Sequence, residues 1–235
     1  MRVLALDTTR AAGSMALVED DRIVAERRSD PVRSHAERLP GDLLSLLDAA
    51  DVPLSAVDVF AVGAGPGSLT GLRIGVATIQ GLAFVGRKRI APVSALEALA
   101  QQASVTLAPG DLVAAWMDAH RRDVFSALYR VVDAPPFTRR RLDEIDSPAV
   151  GDPAVLLARW VDRFGVPVIV AGDGASAYAD RIGDAAQIVD PPLLAGPIGL
   201  IAVDRAHTGE TVAPADVQPL YIRRPDAETA RDKVS

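Results

Sequence analysis

The sequence predicts an α/β protein built as two lobes. Three observations carry that expectation. At 235 residues and 24.7 kDa the chain is long enough for one large domain or two compact lobes. Short apolar runs of strand type alternate with segments of helical spacing in both halves. Ala108-Pro-Gly110 is the best internal boundary, so the expected parts are a first lobe over 1–108, a second over 109–225 and a polar tail over 226–235. The core must be aliphatic, because 49% of residues are hydrophobic and only 4% aromatic.

In chain order, Val3 to Leu6 reads as a buried strand ending at Asp7-Thr8-Thr9. Ser14 to Val18 and Ile23 to Arg27 flank the polar turn Glu19-Asp-Asp-Arg22 and read as a hairpin. Ser34-His-Ala-Glu37 has the spacing of a capping box, and Leu39, Leu43, Leu46, Leu47 and Ala50 continue at helical spacing; Pro40-Gly41 is expected to perturb the early turns. Val57 to Gly63 reads as a strand closing at Gly63-Ala-Gly-Pro-Gly-Ser-Leu-Thr-Gly71, followed by a helix to about Phe84. Ile90 to Val93 is a strand, and Ser94 caps a helix to about Gln102. In the second part, strands are expected at Leu112 to Met117, Val124 to Val132 and Val168 to Ala171. Helices are expected at Asp152 to Phe164, Ala175 to Ile182 and Pro197 to His207, with a late strand at Val217 to Arg223.

Composition excludes several chemistries. The absence of cysteine removes disulfides, thiolate metal sites and thiol nucleophiles. Three histidines (His35, His120, His207) make no convincing metal cage, and no metal or cofactor is expected. A formal charge of −6 has the wrong sign for a free-standing nucleic-acid binder, and the pairs and triplet Arg27-Arg28, Arg121-Arg122, Arg139-Arg-Arg141 and Arg223-Arg224 read as solvated faces. Without a signal-type apolar stretch, and with Leu193 to Val203 too short to span a bilayer, the chain reads as soluble and cytoplasmic, with no membrane partner.

The glycine-rich loop matches neither G-x-G-x-x-G nor a P-loop, leaving either a sharp strand-to-helix turn or phosphate at a helix N-terminus. Ser68 lacks the spacing of a nucleophile elbow, and nothing in the sequence brings a histidine to it. Asp7 and Asp118 each follow an apolar strand, as turn caps or as phosphate-orienting groups. The helix after the loop is more informative. Arg73 is its only charge between Leu69 and Gly86. Leu72, Val76, Ile79 and Ala83 form one stripe, and Gly71, Gly75, Thr78 and Leu82 a neighbouring one. Such a helix needs cover on most of its circumference, from the Leu39–Leu47 helix or from a partner chain drawn close by the glycines. The first helix is itself apolar on more than one side, which favours the partner.

These segments resemble the TsaB (YeaZ) family. The likeness rests on Leu4-Ala-Leu-Asp-Thr-Thr9, Ser34-His-Ala-Glu-Arg-Leu39, Gly63 to Ala77, Gln80-Gly-Leu-Ala83, Val93-Ser-Ala-Leu-Glu97, Asp118-Ala-His-Arg-Arg-Asp-Val-Phe125 and Pro219-Leu-Tyr-Ile-Arg223. The resemblance implies the two-lobed actin-like ATPase (ASKHA) fold with a degenerate nucleotide site. It further implies a non-catalytic subunit in making N6-threonylcarbamoyladenosine at position 37 of tRNAs that read codons starting with A. The implied partners are a TsaD-like catalytic subunit, a TsaE-like ATPase and a homodimeric copy, with tRNA met only through the complex. The expected interface is His35, Leu39, Leu43 and Leu46 on the first helix, with Gly71, Leu72, Gly75, Thr78, Ile79 and Leu82 on the second. Arginine or glutamate at Gly75 is expected to abolish pairing and leave the lobe folded. Asp7, Thr8, Thr9 and Asp118 are the expected remnants of the nucleotide site, with Thr8 where active relatives carry glycine. Two departures from the family stand out: Leu39-Pro40-Gly41 replaces a leucine pair before proline, and His120, Arg122, Asp123 and Phe125 replace Arg, Gly, Glu and Tyr. The rival readings are a glycoprotease-like hydrolase, a small kinase-like phosphotransferase and a homodimeric regulator unconnected with tRNA.

Overall fold

The structure is a computed structural model that describes residues 1–10, 13–29, 35–167, 169–189 and 193–222, with the side chains of 35–38 outside the description. The first sheet contains β1 (Arg2–Asp7), β2 (Ser14–Glu19), β3 (Arg22–Arg28), β4 (Val59–Gly65) and β5 (Arg89–Ser94) in the order β3-β2-β1-β4-β5. The second contains β6 (Leu112–Asp118), β7 (Val124–Val131), β8 (Leu142–Gly151), β9 (Ile169–Ala171) and β10 (Gln187–Val189) in the order β10-β9-β6-β7-β8. Read from its other edge, the second sheet repeats the first. Each has three antiparallel strands formed in succession, then two parallel strands on the far side of the first. The expected two-lobed α/β architecture is therefore present, with the duplication written in strand order.

The helices are α1 (His35–Ala49), α2 (Leu69–Gly86), α3 (Ala95–Ala103), α4 (Pro153–Phe164), the short α5 (Asp173–Ala177) and α6 (Ala179–Ile182), and α7 (Ala195–His207). Period-two alternation sorts the first sheet's residues onto two faces. Leu4, Leu6, Met15, Leu17, Phe60 and Val62 join α1 and α2 in one cluster. Val3, Ala5, Ala16, Val18 and Ala61 turn the other way, into a core that also holds residues of α3, α7 and the second sheet. The small inner side chains let two helices lie between the sheets. Trp116 and Trp160, with ring centroids 6.2 Å apart, centre the outer cluster of the second lobe against α4.

Pro40 sits inside α1, among the early turns it is expected to perturb. Other elements differ from expectation. The Ser34 cap lies outside the described residues. Strand β8 is not legible in the sequence, because its acidic residues and Pro148 hide the pattern of an edge strand. The segment 217–222 is not a strand: Leu220 N–H donates to Ala64 O (2.6 Å) near the end of β4, and the chain then leaves the sheet. Residues from 223 on, with the expected tail, lie outside the description.

The triplet Arg139-Arg-Arg141 is also not one solvated face. Arg139 and Arg140 are exposed, but Arg141 is only 7% exposed. Its guanidinium donates to the carbonyls of Val132 (3.1 Å), Ala134 (3.1 Å), Ser104 (2.5 Å) and Leu107 (2.9 Å) and to Ser104 Oγ (3.4 Å). It ties the end of α3 and the inter-lobe connection to the β7–β8 loop.

Candidate docking face and inter-lobe cleft

Ser68 caps α2 by accepting from Gly71 N–H (3.3 Å), and Arg87, in the left-handed conformation, ends it. Seating α2 on its sheet depends on two glycines. A Cβ at Gly71 would fall well inside contact distance of Thr8 O, and one at Gly75 would strike Thr8 Oγ1. The Thr8 hydroxyl fills that space by donating to Gly71 O (2.8 Å). The small stripe therefore faces the end of β1, not a partner helix.

This corrects the expected interface. Gly71, Leu72, Gly75 and Ile79 are buried by the chain's own atoms, as are Leu39, Leu43 and Leu46 on α1. Thr78 and Leu82 are half-buried, and the His35 side chain lies outside the described residues. A charged residue at Gly75 would disrupt the lobe before it met any partner. The sequence pattern misplaces the uncovered side of the helix because the Thr8 contact is tertiary and leaves no local signal.

An uncovered stripe nevertheless remains. Leu69, Thr70, Arg73, Ala77, Gly81, Phe84 and Val85 face outward along α2, with Phe84 76% and Val85 81% exposed. Leu44 on α1 is exposed beside the same helix pair. Among the described helices α2 alone has the length and composition to cross a membrane, but its inner stripe packs on β4 and α1 as a core helix does.

The two strand-end aspartates occupy equivalent places in the two lobes. Asp7, at the end of β1, is fully buried, and its Oδ1 accepts Thr9 N–H (3.0 Å) and Thr9 O–H (2.7 Å). Thr9 O in turn accepts Ser68 N–H (2.8 Å). Asp118, at the end of β6, accepts His120 N–H (2.9 Å), approaches His120 Nδ1 (3.3 Å) and meets Tyr178 O–H (3.4 Å). Its own N–H donates to Asp173 Oδ1 (3.2 Å). His120, Arg121 and Arg122 turn through three successive left-handed conformations. A cavity of about 320 Å³ opens between the lobes, bordered by Ser68, Leu72, His120, Phe125 and Tyr221. Among the described residues no group of three or more His, Asp or Glu side chains is placed to hold a metal ion.

Burial raises the carboxyl pKa of Asp7, Glu26, Glu97 and Asp173 above the ordinary range; Arg10 opposes this at Asp7 and Asp173, and Arg205 at Glu97. A raised folded-state pKa means that folding takes up protons as pH falls. These groups cost stability above their folded pKa values, and the cost is relieved as pH drops toward the ordinary carboxylate value of about 4. The melting temperature should therefore rise between about pH 8 and about pH 5. Thermal unfolding across that range checks this; a steady fall would contradict it.

Known proteins share both this sequence and this geometry. The family model described as TsaD, tRNA N6-adenosine threonylcarbamoyltransferase, matches residues 25–157. The tRNA threonylcarbamoyladenosine biosynthesis protein TsaB of Escherichia coli is 31% identical over 95% of each chain. The uncharacterized protein ML0378 of Mycobacterium leprae is 32% identical over 96% of this chain, which spans 56% of that protein's length. The solved YeaZ of Pseudomonas aeruginosa superposes with a TM-score of 0.73 at 32% identity, over 94% of this chain and 99% of the other. An activator of 2-hydroxyisocaproyl-CoA dehydratase from Clostridium difficile, solved with ADPNP, superposes at a TM-score of 0.51 and 13% identity over 94% of this chain and 100% of the other, which shows a shared fold alone.

Two donors of the first-lobe loop are taken within the lobe, Thr9 N–H by Asp7 and Thr8 O–H by Gly71 O. Asp7 Oδ2 is buried without a hydrogen-bond partner among the described residues.

Proposed function

The chain belongs to the TsaB (YeaZ) family, and on that premise we propose that it is the non-catalytic, activating subunit of a cytoplasmic complex forming N6-threonylcarbamoyladenosine at position 37 of tRNAs that read codons starting with A. A TsaD-like subunit carries the transfer, a TsaE-like ATPase joins the pair, and tRNA is met through the assembly. In the absence of that partner a second copy of the chain takes the same face.

The observation that carries this reading is the uncovered apolar stripe on α2. A soluble lobe that exposes Phe84 and Val85 beside Leu69 and Ala77 gains by burying them against another chain. An interface of ordinary size would cover roughly 1,600 Å² in total, enough to include this stripe and Leu44 of α1. The engagement of Thr8 O–H and Thr9 N–H inside the lobe supports the same division of labour, since a subunit that does not transfer phosphate has no need to leave those donors open.

The test is Ala77→Glu, with Phe84→Glu as a second variant. Both positions face outward, so both chains should unfold at the wild-type temperature. Each should lose co-elution with the TsaD-like subunit by size-exclusion chromatography. Retained co-elution in both would overturn the assignment of the face.

A further inference from the structure

The net charge of the chain is −6, yet from Val59 to Leu96 it contains no aspartate or glutamate. The same stretch carries Arg73, Arg87, Lys88 and Arg89. It runs through β4, α2 and β5, so α2 and both its ends bring only positive charge. Arg89 is engaged at home, donating from Nε to Thr211 Oγ1 (2.8 Å) and from a terminal nitrogen to Thr211 O. Arg73, Arg87 and Lys88 make no ion pair among the described residues.

Arg73 stands inside the uncovered stripe, one turn after Leu69 and one turn before Ala77. Its one printed contact within the chain is long, from Nε to the Tyr221 hydroxyl oxygen at 3.4 Å. The helix dipole does not account for it either. Arg87 and Lys88 follow the C-terminus of α2, where cations are favoured, but Arg73 lies in the second turn, toward the positive end.

A purely apolar cover over Leu69 and Ala77 would strip water from the Arg73 guanidinium and return no acceptor. An unpaired buried charge is heavily penalised. A carboxylate opposite restores the lost hydrogen bonds, because its two oxygens match the planar guanidinium fork. The covering surface is therefore constrained in charge as well as in polarity.

Resting on the docking face proposed above, we infer that the TsaD-like subunit seats on α2 an apolar surface that bears carboxylates. One pairs with Arg73 inside the stripe and fixes the register of the two chains. Others face Arg87 and Lys88, beyond Phe84 and Val85, and steer the approach.

Arg73→Met separates this from purely apolar docking, because the two predict opposite signs. Methionine keeps the bulk and helix propensity and removes only the charge. By titration calorimetry with the TsaD-like subunit, Arg73→Met should bind at least about tenfold more weakly, since the partner carboxylate is left unpaired. Arg73→Lys should fall between the two. A purely apolar partner surface would hold Arg73→Met as tightly as wild type, or more tightly. Arg87→Gln combined with Lys88→Gln should slow association several-fold at low salt and flatten its salt dependence. Undiminished affinity in Arg73→Met, or an unaltered salt dependence in the double variant, would overturn the inference. So would a loss confined to self-association of this chain, which would put the carboxylate on a second copy. Ala77→Glu keeps the two readings apart. If it abolishes co-elution while Arg73→Met binds undiminished, the face stands and its charge pairing falls; if it and Phe84→Glu both co-elute, both readings fall.

Discussion

Gly71→Ala should destabilise the chain by about 3 kcal/mol or more, although alanine is the better helix former. The added methyl group would overlap Thr8 O, a backbone atom at the end of the central strand of the first sheet. A flexible side chain could swing away, but β1 cannot, because it is paired on both sides with β2 and β4. Either α2 lifts off its sheet or the Thr8 hydroxyl loses Gly71 O; both expose part of the Leu4–Phe60 cluster. Gly81 provides the control on the same helix. It is exposed, and a Cβ there would meet nothing within 4 Å, so Gly81→Ala should stabilise by about 1 kcal/mol. Urea unfolding of the two variants measures the contrast. A Gly71→Ala chain as stable as wild type would mean that α2 is seated differently.

Arg141→Ala should be comparably damaging. The substitution removes a buried guanidinium and leaves the carbonyls of Val132, Ala134, Ser104 and Leu107 without that donor. Val132 O and Ser104 O keep the backbone donors Ala134 N–H and Leu107 N–H, which leaves the carbonyls of half-buried Ala134 and Leu107, and at about 1 to 3 kcal/mol for each unsatisfied group the loss should be about 2 kcal/mol or more. Arg141→Lys should recover only part of it, because one ammonium with three donors cannot reproduce a planar fork that reaches four carbonyls. Arg140→Ala, exposed and adjacent, should change stability by less than about 0.5 kcal/mol. Equal effects at 140 and 141 in urea unfolding would contradict the assignment.

These two residues also mark the limit of what the sequence makes legible. Apolar runs of four to six residues locate nearly every buried strand, because a strand covered on both faces must be apolar throughout, as Leu4 to Leu6 and Val113 to Met117 are. Caps at Ser94 and Asp152 place two helix starts, since their signals are local. Strand β8 escapes detection because an edge strand needs apolar cover on only one face and tolerates Pro148. Arg141 reads in sequence as one of three similar arginines, and only the fold decides which of them meets four carbonyls. At α2 the need for cover is legible from composition, but the side left uncovered is not. The glycines resemble a seat for a neighbouring molecule; they are the seat for Thr8, and the outward stripe runs instead through Leu69, Ala77 and Phe84.

Threonylcarbamoyl transfer to tRNA in a reconstituted mixture tests the central claim most directly. The TsaD-like and TsaE-like subunits are supplied with threonylcarbamoyl-adenylate, and this chain is omitted, added as wild type, or added as Ala77→Glu. Robust modification is predicted only with the wild-type chain, with the Ala77→Glu rate at least about tenfold lower despite an unchanged melting temperature. Full modification without the chain, or an undiminished rate with Ala77→Glu, would contradict the account.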